Sequence, residues 1–148
     1  MLVEVKVKVA KITDGKIRKR TETFIIPDCE LFVNAEHLVM QTLTEELESH
    51  LIEGFEILSL KQSPIKEVCT QWLEDCNNGF PPFIATLKDI FLTDEGTEKS
   101  IKYKVLLWAS NHTQALSRVQ ELSRQGYDMH IEGIKEVDYQ YLTEDINE

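Results

Sequence analysis

Seven cations fall between positions 6 and 20, namely Lys6, Lys8, Lys11, Lys16, Arg18, Lys19 and Arg20, and their chemistry is anion recognition. Lysine and arginine donors brought together across two strands would hold a phosphate or the carboxylates of an acidic partner. The same charges also serve as a solvated face that keeps an edge strand from aggregating, and Glu4 and Glu22 lie among them. A second cluster is aromatic. Trp72, Phe80, Phe83 and Trp108 lie around the middle of the chain and near a strand end, where they could line a groove between two lobes or simply pack there.

Other chemistry finds little support in the residues. His37, His50, His112 and His130 show no metal-ligand spacing, and Cys29, Cys69 and Cys76 form no Cys-x-x-Cys pair, so no metal is expected. The chain carries neither a Gly-x-Ser-x-Gly element nor a glycine-rich phosphate loop, and Cys69 falls on an apolar stripe. Glu45-Glu46 and Asp94-Glu95 are adjacent carboxylates of the solvated kind. No catalytic residue and no cofactor are expected.

The formal charge of −10 divides evenly, with nine basic and fourteen acidic residues in 1–76 and seven and twelve in 77–148. General attraction to nucleic acid or to an anionic bilayer is therefore disfavoured, although the basic hairpin could act locally. The opening residues alternate valine with charge, and no stretch approaches the roughly 18 apolar residues of a membrane span, so neither a signal peptide nor a membrane segment is expected. The odd cysteine count points to a reducing, cytoplasmic compartment.

The elements that must position these residues occur twice. Val3, Val5, Val7 and Val9 alternate with Glu4, Lys6 and Lys8 as a half-buried strand; Asp14-Gly15 supplies a hairpin turn, and Ile17–Ile26 is the return strand. A helix capped by Asn34 follows, with Ala35, Val39, Leu43, Leu47 and Leu51 as its apolar stripe and Gly54 as its stop. Phe55–Leu60 closes the unit as a strand. The second copy runs from Phe83 through Ile101–Leu107, a helix capped by Ser110 or Asn111 and ended by Gly126, and a closing strand from Tyr127.

Three matches in one order tie the copies together: Ile12-Thr13-Asp14-Gly15 with Leu92-Thr93-Asp94-Glu95-Gly96, Gly54-Phe55-Glu56-Ile57 with Gly126-Tyr127-Asp128-Met129, and Ile65-Lys66-Glu67-Val68 with Ile134-Lys135-Glu136-Val137. The fold expected is α+β, with two pseudo-symmetric ββαβ repeats in mainly antiparallel sheet and helices packed on one face. The first unit covers 1–62, a joint covers 63–82, the second unit covers 83–142, and 143–148 form a polar tail. Helix signals at Ser63-Pro64 and Asn78-Gly79 outweigh the strand that the third match would place in 63–79.

The lysine-valine opening strand, the Asp14-Gly15-Lys16-Ile17-Arg18-Lys19 turn, the Ala35-Glu36 helix start and the Gly54-Phe55-Glu56-Ile57 segment resemble a family of domains of unknown function from gut Bacteroidetes and their bacteriophages. That resemblance implies a phage-encoded or bacterial protein, in the bacterial cytoplasm, the host cytoplasm or the virion, and carries over no catalytic residue. The function expected is non-enzymatic: a protein-binding or assembly module, with a protein partner or self-association. Nucleic-acid or nucleotide binding at the basic hairpin, and a small enzyme with an inter-lobe pocket, are the alternatives.

Overall fold

The structure, a computed structural model, describes residues 1–124 and 130–143. The chain is α+β and divides into two compact units, Met1–Ser63 with the segment from Tyr139 onward, and Pro64–Asp138.

In the first unit, β1 (Val3–Thr13) and β2 (Lys16–Ile26) form an antiparallel hairpin in unbroken register. Its two-residue loop is Asp14-Gly15, both at positive φ (52° and 75°), as the turn that follows strand twist requires. The helix α1 (Phe32–Glu48) lies against one sheet face, and β3 (Ile52–Gln62) returns antiparallel to β1. Val3, Val5, Val7 and Val9 are buried with Phe24, Ile26, Ala35, Val39 and Leu43, so period two on the strand and near-period four on the helix meet in one core.

Several local expectations change. Asn34 stands at the third helical position, where its side-chain oxygen accepts from the Leu31 backbone N–H at 2.9 Å. The helix is stopped at Ser49 and His50, the latter at φ 60°, and Gly54 lies inside β3. Leu47 and Leu51 are exposed and outside the core.

The second unit repeats this order with β5 (Pro82–Leu92), β6 (Glu98–Trp108), α3 (His112–Arg124) and β7 (His130–Glu136). Asn111 caps α3 by accepting from the Gln114 N–H at 2.8 Å, while Ser110 gives its own N–H to the Gln114 side chain. Phe83, Ala85 and Leu87 pack with Val105, Leu107, Ala115 and Val119. The helix stop at Gly126 and the strand start at Tyr127 lie outside the described residues, as does the tail beyond Thr143.

The joint differs from the helix expected over 63–79. Ile65–Val68 form a strand, β4, followed by a 3-10 turn at Thr70–Trp72 and a five-residue helix, α2 (Leu73–Asn77). Strand β4 pairs in parallel with β6, and Tyr139–Tyr141 form β8, which pairs in parallel with β2. The sheets are therefore β3-β1-β2-β8 and β7-β5-β6-β4. Residues 139–142 consequently belong to the first unit, where Leu142 packs on the core. The strand that the third sequence match would place here is present, but its position in the sheet is not that of its counterpart: Ile134 lies in the antiparallel edge strand β7, while Ile65 lies in the parallel strand β4.

Candidate functional site

Strand alternation divides the basic cluster between the two sheet faces. On the helix side, Lys11 stands opposite Arg18, Thr13 opposite Lys16, and Val9 opposite Arg20. There Glu22, 4% exposed, draws the Lys11 ammonium to 3.2 Å and the Arg20 guanidinium to 3.9 Å. Glu46 reaches the same region from α1; burial, reinforced by the Glu22 charge and opposed by Lys11, raises its pKa above the usual carboxylate value. Its Oε2 is buried and finds no hydrogen-bond partner.

The outer face holds the remaining cations in a different setting. Lys6 stands opposite Thr23, Lys8 opposite Thr21, and Ala10 opposite Lys19, with Gly54 and Glu56 of β3 beside Ala10 and Lys8. The small side chains of Ala10 and Gly54 leave a pit of about 170 Å³ lined by Lys8, Lys19, Phe55 and Glu56. That volume holds about five waters at ~30 Å³ each, enough for one carboxylate or phosphate group. Neither Lys8 nor Lys19 forms an ion pair among the described residues. Around the pit stand exposed apolar side chains: Ile12 and Ile17, which face each other across the hairpin, and Leu58, 49% exposed on β3.

The second unit shows what this frame looks like when closed. Val5 pairs with Phe24 and Leu60, and Ala85 with Val105 and Ile134; both edge strands bulge at the corresponding step, between Lys6 and Val7 and between Thr86 and Leu87. By this register Lys88 takes the place of Lys8, Ile90 that of Ala10, Lys102 that of Thr21, and Glu132 that of Leu58. Lys88 and Lys102 face each other directly, a repulsive arrangement. The Glu132 carboxylate relieves it at 3.8 and 3.0 Å, and its hydrogen bond with Lys102 holds its own pKa below the ordinary value. In the first unit the bulge carries leucine, and Lys8, with Glu56 across from it on β3, forms no ion pair among the described residues.

Strand edges are poor alternatives for recognition. Among the described residues, β3 bulges at Glu53 and Leu58, β7 bulges at Glu132, and β4 and β8 are only four and three residues long. Bulging and shortness are ways in which sheets resist the addition of a strand.

All four aromatic residues belong to the second unit; Phe83 and Trp108 are each 1% exposed, while Trp72 and Phe80 are half-buried. Trp72 packs on the second core with the Arg118 guanidinium 5.3 Å from its ring, and the Phe80 N–H donates to the Asp75 carbonyl. Sequence reading missed the fastening at this place: Arg118 Nη1 donates to Asp75 Oδ2 at 2.6 Å and to the Trp108 carbonyl at 2.5 Å. The spacing of 43 residues between Arg118 and Asp75 gave no local signal.

Among the described residues no group of three or more His, Cys, Asp or Glu side chains could hold a metal ion. His112 serves structure, with Nε2 3.1 Å from the Ile134 carbonyl oxygen and its ring edge-on to Phe83. Cys69 is buried, and burial pushes its thiol up to about 12, far from a nucleophile's range. Burial also raises the Cys76 thiol, against an opposing hydrogen bond with Trp108. No helix among the described residues is long and apolar enough to cross a membrane.

No curated protein and no solved structure matches this chain. The model of the family described as Domain of unknown function (DUF4494) matches residues 1–142, a span that includes all eight strands among the described residues, and the chain belongs to that family.

Proposed function

We propose that the chain is a non-enzymatic protein-binding or assembly module whose docking surface is the outer face of the β1–β2 hairpin with β3. The observation that carries this reading is Lys8, without an ion pair among the described residues, beside a pit on the face that also exposes Ile12, Ile17 and Leu58, where the equivalent site in the second unit is neutralised by Glu132. Apolar side chains gathered around unpaired cations suit a protein surface that offers apolar contact and a carboxylate. A partner with an acidic, partly apolar segment fits. The bulged and shortened edges favour docking on the face over strand addition.

The work of such a module belongs in the cytoplasm of a bacterial cell or, with the phage origin that the family resemblance implies, in host cytoplasm or virion, where a host or virion protein would be bound. The experiment is affinity capture with the wild type, a Lys8→Glu/Lys19→Glu variant, and a Lys66→Glu/Lys104→Glu variant carrying the same charge change on the second unit. A protein held by wild type and control and lost by the hairpin variant supports the reading; equal retention by all three removes it.

A second reading has one observation in its favour, since Lys6, Lys8 and Lys19 share a face and could neutralise phosphates. The net charge of −10 and Glu56 in the pit oppose it. Binding of single-stranded oligonucleotides that weakens steeply with salt and vanishes in Lys8→Glu/Lys19→Glu would establish it.

A further inference from the structure

We infer that the partner is a second copy of this chain, its helix α1 seated on the outer hairpin face of the first. The inference rests on the docking face proposed above and adds the occupant. It starts from a stripe on α1 that the core does not use: Val33, Met40 and Leu47 recur every seven residues, all of them exposed. A heptad spacing keeps these side chains on one side of a helix. The helix also carries Glu36, Glu45 and Glu48 away from the core and no lysine or arginine, so its outer side is acidic and apolar.

The hairpin face is the complement, basic on balance through Lys6, Lys8 and Lys19 against the one carboxylate of Glu56, and apolar through Ile12, Ile17 and Leu58. The lengths agree. Val33 to Leu47 spans about 21 Å at 1.5 Å per residue, and Lys6 to Ile12 spans about 20 Å at 3.3 Å per residue. Both surfaces also differ in the second unit. Ala115 and Val119 match the buried Ala35 and Val39, which aligns Thr113 and Gln120 of α3 with Val33 and Met40. The unit that closes its outer face with Glu132 thus carries polar residues at these two positions.

Because α1 covers the face that holds Val3, Val5, Val7 and Val9, the two surfaces lie on opposite sides of one sheet. One copy's helix meets the next copy's hairpin, a heterologous contact that leaves a free surface at each end and propagates until a ring closes.

The test uses the full chain and two variants that borrow residues from the second unit, each checked for fold by circular dichroism. Leu58→Glu reproduces the closed bulge; Val33→Thr with Met40→Gln reproduces the polar helix. In sedimentation velocity the wild type is expected to grow in mass with concentration and to shrink in high salt, while each variant stays monomeric. An equimolar mixture of the two variants is expected to form a dimer and nothing larger, because one intact junction survives. A mixture that stays monomeric, variants that associate like wild type, or a wild type monomeric at every concentration overturns the inference. In the last case, loss of a captured protein by Lys8→Glu/Lys19→Glu still upholds the docking face, so the two readings fail separately.

Discussion

The Lys102 ammonium lies 3.0 Å from the Glu132 carboxylate at the bulge of β7, and that contact lets Lys102 and Lys88 face each other on one sheet surface. Glu132 therefore titrates below an ordinary glutamate, chiefly through its hydrogen bond with Lys102. A depressed carboxylate contributes stability that is present above its unfolded pKa and is lost as pH falls through its folded pKa. Carbon-detected NMR titration is expected to place Glu132 below the ordinary glutamate value of 4.5 in the wild type and closer to it in Lys102→Ala.

Glu46 has the opposite sign. Burial and then the Glu22 charge raise its pKa, so its contribution is fully present below the unfolded value of 4.5 and declines as pH rises through the folded one. Glu46→Gln is expected to stabilise the chain at pH 7, by no more than about 1 kcal/mol given the screening of a partly exposed group, and to lose that advantage near pH 4. Urea denaturation at the two pH values measures the difference.

Cys69 is held as a thiol, its pKa raised by burial from 9.0 to about 12. Below pH 9 this has no effect; between 9.0 and about 12 the unfolded chain ionises where the folded chain resists, and stability falls. Iodoacetamide at pH 8 is expected to leave Cys69 unmodified in the native chain and to label it in denaturant, as read by peptide mass spectrometry.

Arg118 fastens α2 to the second unit through Asp75 and the Trp108 carbonyl, with Trp72 under its guanidinium. Its side chain is only 17% exposed, so Arg118→Ala leaves Asp75 poorly compensated and is expected to cost on the order of 2–4 kcal/mol in chemical denaturation. Arg118→Lys is expected to recover only part of the loss, because one ammonium reproduces neither the planar stacking nor the directed donors.

The sequence made the β1–β2 hairpin legible because alternation at Val3 to Val9 and the Asp14-Gly15 turn are local signals. Sheet order was not legible: periodicity assigns faces and leaves neighbours open, so the parallel pairing of β8 with β2 and of β4 with β6 had no marker. Gly54 reads as a helix stop because glycine commonly ends helices, yet it lies inside β3 with open space where a side chain would stand, and His50 performs the stop. The cationic residues of the site were visible as a cluster, but their division between two faces follows from register, and the pit depends on Ala10 and Gly54, whose contribution is the volume they do not fill. Leu58 acquires meaning only beside Glu132 at the equivalent bulge.

The claim that the outer hairpin face docks a protein is tested most directly by placing a photo-crosslinking amino acid at position 58 and, separately, at position 132, and irradiating cells that express each. The account predicts a discrete, nuclease-resistant polypeptide adduct at 58 and none at 132. An adduct at 132 alone, or material at 58 that nuclease removes, would contradict it.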